Sequence, residues 1–130
     1  LPIPNRNVWR ISRSIYVGES KDEAWDHLME GNVARSFEYL FALLKSAKMI
    51  HLAKHDPKIP DEDVTPEYAI KHLCIFGNVK QCKSQLEDIW EATGGFGTLL
   101  MVSKDWDDKE KWKNSMRLLA EEIVPSLPSL

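Results

Sequence analysis

The sequence has few cysteines, no excess of positive charge and no long apolar run. Cys74 and Cys82 are its only cysteines in 130 residues, too few for a disulfide framework, and their spacing matches no zinc or redox motif. We therefore expect two reduced, structural thiols in a cytoplasmic protein. A formal net charge of −3 argues against a nucleic-acid-binding or anionic-membrane surface. No apolar run approaches the ~20 residues of a membrane span.

The first ten residues, LPIPNRNVWR, contain neither an apolar signal-peptide core nor an initiator Met. Hydrophobic residues make up 43% of the chain and charged residues 28%, the composition of an ordinary globular domain. We interpret the chain as a folded piece of a larger protein.

Two segments have the composition of β-strands. Residues 8–17 (VWRISRSIYV) are rich in β-branched and aromatic side chains. Residues 96–102 (FGTLLMV) form a nearly continuous apolar run, which is typical of a strand buried on both faces in a parallel sheet. A third segment, LCIFG at 73–77, fits either a short buried segment or the tail of a helix.

Helices are predicted between and after these strands, from capping residues and apolar spacing. Their predicted starts are Ser20, Val33, Thr65, Asn78 and Asp108. The order of strand, helices, strand and helix predicts a parallel α/β fold in which 8–17 and 97–102 are neighbours and the crossover helices cover the outer face. Because two strands alone are marginally stable, we expect further strands outside this sequence.

The residues after the second strand have the composition of a binding site. Ser103, Lys104, Asp105 and Trp106 supply a hydroxyl, an amine, a carboxylate and a flat aromatic, at the strand end where parallel α/β folds place their chemistry. Trp106 would cover a ring-shaped ligand and Lys104 would attract an anionic one. A second interpretation is structural: Asp105 or Asp107 caps the last helix and Trp106 packs against it.

Metal binding is not expected. His51 and His55 stand four residues apart, the helical spacing of a metal pair, but the sequence offers no third ligand nearby.

Nearly the whole sequence resembles the C-terminal end of the bacterial luciferase-like flavin-dependent monooxygenases, and most of all their limonene- and alkanal-monooxygenase-like branch. The most specific part is TGGFGTLL at 93–100, followed by DW and a helix that ends before a proline. Upstream, WRISRSIYVGESKDEAWDHLMEG is similar to the strand and helix that precede this block in the family. The resemblance makes residues 1–130 the C-terminal segment of one (β/α)8 TIM barrel. Residues 8–17 would be its seventh strand and 97–102 its eighth.

The resemblance also implies an activity. The full-length enzyme would use reduced FMN, supplied by a reductase, and O2 to insert one oxygen atom into a small apolar organic substrate. Ser103, Lys104, Asp105 and Trp106 would bind flavin or substrate at the barrel mouth, and the catalytic residues would lie upstream. Lys104 stands where relatives often carry His; if that His handles protons in the relatives, this chain is not expected to do so identically.

Two further expectations concern partners. Uncovered strand edges favour self-association, so we expect a homo-oligomer, and the 130 residues alone are expected to be inactive. The alternative function is a small helix-rich interaction module without catalysis.

Overall fold

A computed structural model describes residues 2–104 and 107–129, which form a parallel sheet with helices packed around it. Asp105 and Trp106 lie outside these described residues. The strands are β1 (Arg10–Val17), β2 (Cys74–Gly77) and β3 (Thr98–Val102), and the α-helices are α1 (Lys21–Glu30), α2 (Asn32–Ser46), α3 (Pro66–Leu73), α4 (Val79–Thr93) and α5 (Lys109–Leu118).

β1 is the central strand of the sheet, whose order is β2-β1-β3 with both pairings parallel. The prediction that 8–17 and 97–102 are parallel neighbours is confirmed. The segment left open at 73–77 contributes a third strand, β2. Successive βα units of a barrel place consecutive strands side by side, whereas here β2 and β3 flank β1.

Helices cover both faces of the sheet, and the expectation that the crossover helices all lie on the outer face is wrong for these residues, because α4 packs on the face opposite α1, α2 and α3. Tyr16 and Phe76 face α1, α2 and α3. Ile15, Val17 and Ile75, which point the other way, pack against α4 and the turns after α5. Since successive strand side chains alternate between faces, apolar residues in consecutive positions require cover on both sides.

β3 is an edge strand among the described residues and is less buried than its composition predicts. Its side chains alternate between exposed and half-buried, and Leu100 is 45% exposed. The expected burial of 97–102 on both faces is therefore not met by the described residues alone.

Capping side chains fix the helix starts that position the site. The Ser20 hydroxyl accepts a hydrogen bond from the Glu23 amide at 3.1 Å, and Asn78 and Gln81 form a complete capping box at α4. At α5 the cap is Asp108, whose carboxylate accepts from the Lys111 amide at 3.2 Å. The sequence predicted Asp105 or Asp107 as the residue that caps α5. In the described residues Asp108 caps it instead.

The carboxyl ends of the strands are not level. Val102, the last residue of β3, pairs with Ser14, whereas Gly77 at the end of β2 pairs with Val17. Three residues of strand separate these levels, about 10 Å at 3.3 Å per residue. Beyond the end of β3 the free edge of β1 is met by α5, where the buried Ser115 hydroxyl accepts from the Val17 amide at 2.8 Å.

The helices of the described residues are short or carry many charged side chains. None of them has the combination of length and apolarity that crossing a bilayer requires.

Candidate functional site

A cluster of aromatic and titratable side chains lies near the carboxyl end of β1. Tyr16 on β1 stacks on His27 of α1, with ring centroids 4.1 Å apart and an interplanar angle of 27°. Trp112 of α5 meets both rings edge-on, at 5.3 Å from Tyr16 and 5.2 Å from His27. We call Tyr16, Glu23, His27, Asp107 and Trp112 the strand-end cluster.

Asp107 joins three parts of the chain through its carboxylate. It accepts from the Trp112 indole N–H at 2.8 Å and from the Asn32 amide, at the start of α2, at 2.7 Å. Burial opposes its charge, but these hydrogen bonds and the neighbouring His27 together lower the pKa of Asp107. The carboxylate is therefore ionised at neutral pH and links the start of α2 to Trp112 of α5.

Tyr16 is held as a protonated phenol. Its hydroxyl donates to Glu23 Oε1 at 2.9 Å, and Lys111 lies 3.5 Å from the same carboxylate oxygen. Burial first, and then the bond to Glu23, raise the pKa of Tyr16 above its ordinary value. The other carboxylate oxygen of Glu23 accepts a hydrogen bond from the Glu19 amide at 3.4 Å, so both oxygens have partners near the carboxyl end of β1.

His27 is the one imidazole of this cluster. Burial lowers its pKa, while the negative charge of Asp107 acts in the opposite direction, so the ring is neutral at physiological pH. Its Nε2 atom is buried and has no hydrogen-bond partner among the described residues. A neutral imidazole with an unused nitrogen is able to donate to or accept from a ligand atom.

A cleft of about 660 Å³ opens beside the cluster, and its walls are charged. Five of its lining residues are carboxylates, and two are cationic, Arg35 and Lys111. The carboxylates are Glu23, Asp26, Glu30, Asp107 and Asp108. An excess of negative charge repels phosphate and other anions, so this cleft suits neutral or cationic groups.

Ser103 and Lys104, two of the four residues predicted from the sequence, do not join this cluster. Ser103 and Lys104 are exposed after β3, at the lower of the two strand-end levels. The Lys104 ammonium lies 5.4 Å from the centre of the Phe37 ring, beside the amino end of β2. Asp105 and Trp106 are outside the described residues, so their predicted place at the site stays a prediction.

Sequence reasoning missed the strand-end cluster because its members come from distant positions. Tyr16, His27 and Trp112 share no motif in the sequence. One local signal was present: Glu23 and His27 are four residues apart on α1, the spacing that puts two side chains on one helix face.

His55, one of the two histidines considered as metal ligands, contacts other side chains. The His55 ring stacks on His72 at 4.2 Å, and its Nδ1 lies 2.5 Å from the Tyr68 hydroxyl. No group of three metal-ligating side chains occurs among residues 2–104 and 107–129.

The known proteins that this chain resembles are named as monooxygenases. The chain is 34% identical over 121 residues to a 4-hydroxyprotoasukamycin monooxygenase of Streptomyces nodosus subsp. asukaensis, covering 93% of this chain and 31% of that protein. It is 27% identical over 126 residues to 3,6-diketocamphane 1,6-monooxygenase of Pseudomonas putida, covering 95% and 33%. The chain thus spans about a third of the length of these curated relatives. None of the protein families scanned matches it.

A solved structure matches the fold as well as the sequence. It is the oxygenating constituent of 3,6-diketocamphane monooxygenase from the CAM plasmid of Pseudomonas putida, a type II Baeyer–Villiger monooxygenase in complex with FMN. The TM-score is 0.86 at 27% identity, over 96% of this chain and 35% of that one.

Proposed function

We propose, from the homology of this chain to the C-terminal portion of the luciferase-like type II flavin monooxygenases, that it forms part of an enzyme of that kind. The protein would use reduced FMN and O2 to oxygenate a small apolar organic substrate. The observation that carries the proposal is the similarity over 96% of the chain to one part of an FMN-containing monooxygenase. In this proposal residues 1–130 are one segment of a single TIM-barrel domain.

The described residues bear on where FMN would fit. FMN carries a phosphate and a flat ring system, and it supplies the electrons that activate O2. The carboxylates of the 660 Å³ cleft do not fit the phosphate. His27 lines this cleft, with the buried rings of Tyr16 and Trp112 packed against it, so the cleft suits an uncharged ring or substrate better than a phosphate.

Trp106 and its neighbours have a proposed role in excluding water. Ser103, Lys104, Asp105 and Trp106 follow β3 directly, where barrel enzymes place binding loops. The indole of Trp106 would wall the pocket around the flavin or substrate. A dry pocket favours transfer of oxygen to the substrate over release of peroxide.

A coupling experiment separates this role from packing. In the full-length protein with FMN and a flavin reductase, Trp106→Ala should lower the ratio of oxygenated product to hydrogen peroxide several-fold, with little change in melting temperature. Trp9→Ala is the matched control, since Trp9 immediately precedes β1 and is 38% exposed. If Trp106 only packs, its replacement lowers the melting temperature and leaves the ratio of the folded fraction unchanged, which would remove it from the site.

Two other features belong to the proposal. A homo-oligomer and a cytoplasmic location are consistent with the open sheet edges and with two free, buried thiols, Cys74 and Cys82. The alternative of a non-catalytic interaction module has no support from the relatives, which are named as monooxygenases.

A further inference from the structure

A second cleft, of about 370 Å³, lies at the amino end of β2 and collects positive charge from separate parts of the chain. Arg13 comes from β1, His72 from α3, Lys104 from the segment after β3, and His55 from the loop between α2 and α3. Ser12 and Ser14 of β1 also line it. None of its described lining residues is acidic, although the chain as a whole carries a net charge of −3.

The cations of this cleft are not neutralised within the described residues. The ion pairs found there involve Lys54, Lys83, Lys111, Lys113 and Arg117, and neither Arg13 nor Lys104 is among them. Arg13 Nη1 donates to the Ser12 carbonyl at 2.8 Å. Burial also raises the pKa of the adjacent Cys74 thiol to about 12, so that group adds no negative charge.

The two imidazoles are held in place by packing. His55 and His72 stack at 4.2 Å with an angle of 15° between their planes, and the Tyr68 ring packs 4.9 Å from His72. Tyr68 also accepts a hydrogen bond from the His55 amide at 2.8 Å. Partial burial lowers the pKa of His72, and the neighbouring His55 and Lys71 lower it further. Burial and nearby positive charge both disfavour the protonated ring. An anion would reverse that effect.

We propose that this cleft binds a phosphate dianion, with Arg13 and Lys104 as the charged contacts and His55 and His72 as donors. Arg and Lys are the side chains that recognise phosphate, and imidazole and serine hydroxyls supply further donors. The phosphate is either inorganic or the terminal group of an organic molecule such as FMN. This proposal does not rest on the proposed oxygenase function, since phosphate binding is measured without any turnover.

The test is a calorimetric and NMR titration of the full chain, labelled with 13C-histidine, with inorganic phosphate at constant ionic strength. Phosphate should bind in a saturable manner and raise the pKa of His72, which is lowered in its absence. The double variant Arg13→Gln, Lys104→Gln should lower the association constant at least about tenfold, the loss expected for charge-assisted hydrogen bonds. The matched control Arg10→Gln, Lys109→Gln makes the same charge change, with Arg10 on the same strand, and should bind as the unaltered chain does.

The arms of the titration identify the source of the phosphate. FMN binding more tightly than riboflavin, with the difference lost in the Arg13 and Lys104 variant, assigns the cleft to the cofactor. FMN binding no better than inorganic phosphate assigns it to a free anion. Absence of saturable phosphate binding, or an equal loss in the two double variants, would overturn the site and leave the monooxygenase proposal standing.

Discussion

At the scale of single residues, the account depends most on Asp107. Its carboxylate ties Trp112 of α5 to the start of α2 and lies close enough to His27 to affect its charge. It is exposed, so water screens part of its interaction energy. Its carboxylate nevertheless accepts hydrogen bonds from three N–H groups, those of Asn32, Asp108 and the Trp112 indole, which fix its position.

Replacing Asp107 with Asn should destabilise the chain by about 1 kcal/mol at pH 7, since one charged acceptor is lost. Because the folded-state pKa of Asp107 is lowered, its contribution is present above about pH 4, the ordinary carboxyl range, and is lost as pH falls below it. Urea denaturation at pH 7 and pH 3 measures both effects. Asp88→Asn, an exposed carboxylate on α4, should change stability by less than about 0.5 kcal/mol. An equal loss at both pH values would contradict the assignment.

His27 should titrate below 6.5, its ordinary pKa, because burial favours the neutral ring. The neutral His27 ring therefore contributes fully to the free energy of unfolding above pH 6.5. That contribution is lost as pH falls, because protonation of the ring favours the unfolded state. A 13C-histidine NMR titration measures the pKa directly. In Asp107→Asn the pKa should drop further, because the charge that opposes the shift is gone. A pKa at or above 6.5 in the unaltered chain would be inconsistent with burial of this ring.

Sequence reasoning reached the residue types of this region but not their partners. Three aspartates precede α5 within four positions, and spacing alone does not tell which one caps it. The structure assigns the cap to Asp108 and gives Asp107 to Trp112 and Asn32. That choice depends on where α1 and α2 pack, which no local pattern encodes.

At the scale of elements, the contact of α5 with β1 is the least expected feature. β3 ends level with Ser14, and the remaining edge of β1 would leave the Val17 amide without a strand partner there. The Ser115 hydroxyl takes that place and is fully buried. A polar residue on the buried face of a helix is thus explained by the length of a neighbouring strand.

Ser115→Ala should therefore cost about 1–3 kcal/mol, the penalty for leaving a buried N–H unpaired. The free energy of opening measured by amide hydrogen exchange at Val17 should fall by a similar amount. The control is Ser126→Ala, since the Ser126 hydroxyl only donates to carbonyls of its own helical turn. Equal, small effects of the two substitutions would show that the Val17 amide finds another partner.

The helix and strand positions were largely predictable, and the strand order was not. Capping pairs such as Asn78 with Gln81 act within one turn and are visible in the sequence. The segment 74–77 is too short for periodicity to distinguish strand from helix. Its place at one edge, opposite β3, is decided by packing on two faces of the sheet.

At the scale of the whole molecule, β2 and β3 are the edges of the sheet formed by residues 2–104 and 107–129. Leu100 is 45% exposed on the edge strand, and such edges pair with other strands. We expect the chain to self-associate in sedimentation velocity at low concentration. Leu100→Lys should shift it toward smaller species, whereas Leu43→Lys, at a 50% exposed position on α2, should not. A well-folded monomer of the unaltered chain would contradict this expectation.

The central claim is that this chain belongs to an oxygenase that uses reduced flavin. The most direct test supplies the full-length protein with reduced FMN, 18O2 and a panel of apolar cyclic ketones and alkenes, and analyses the products by mass spectrometry. One oxygen atom of O2 should enter the product and the other should leave as water. If reduced FMN is oxidised with peroxide as the only oxygen product across the panel, or if the label in the product comes from water, the account is wrong.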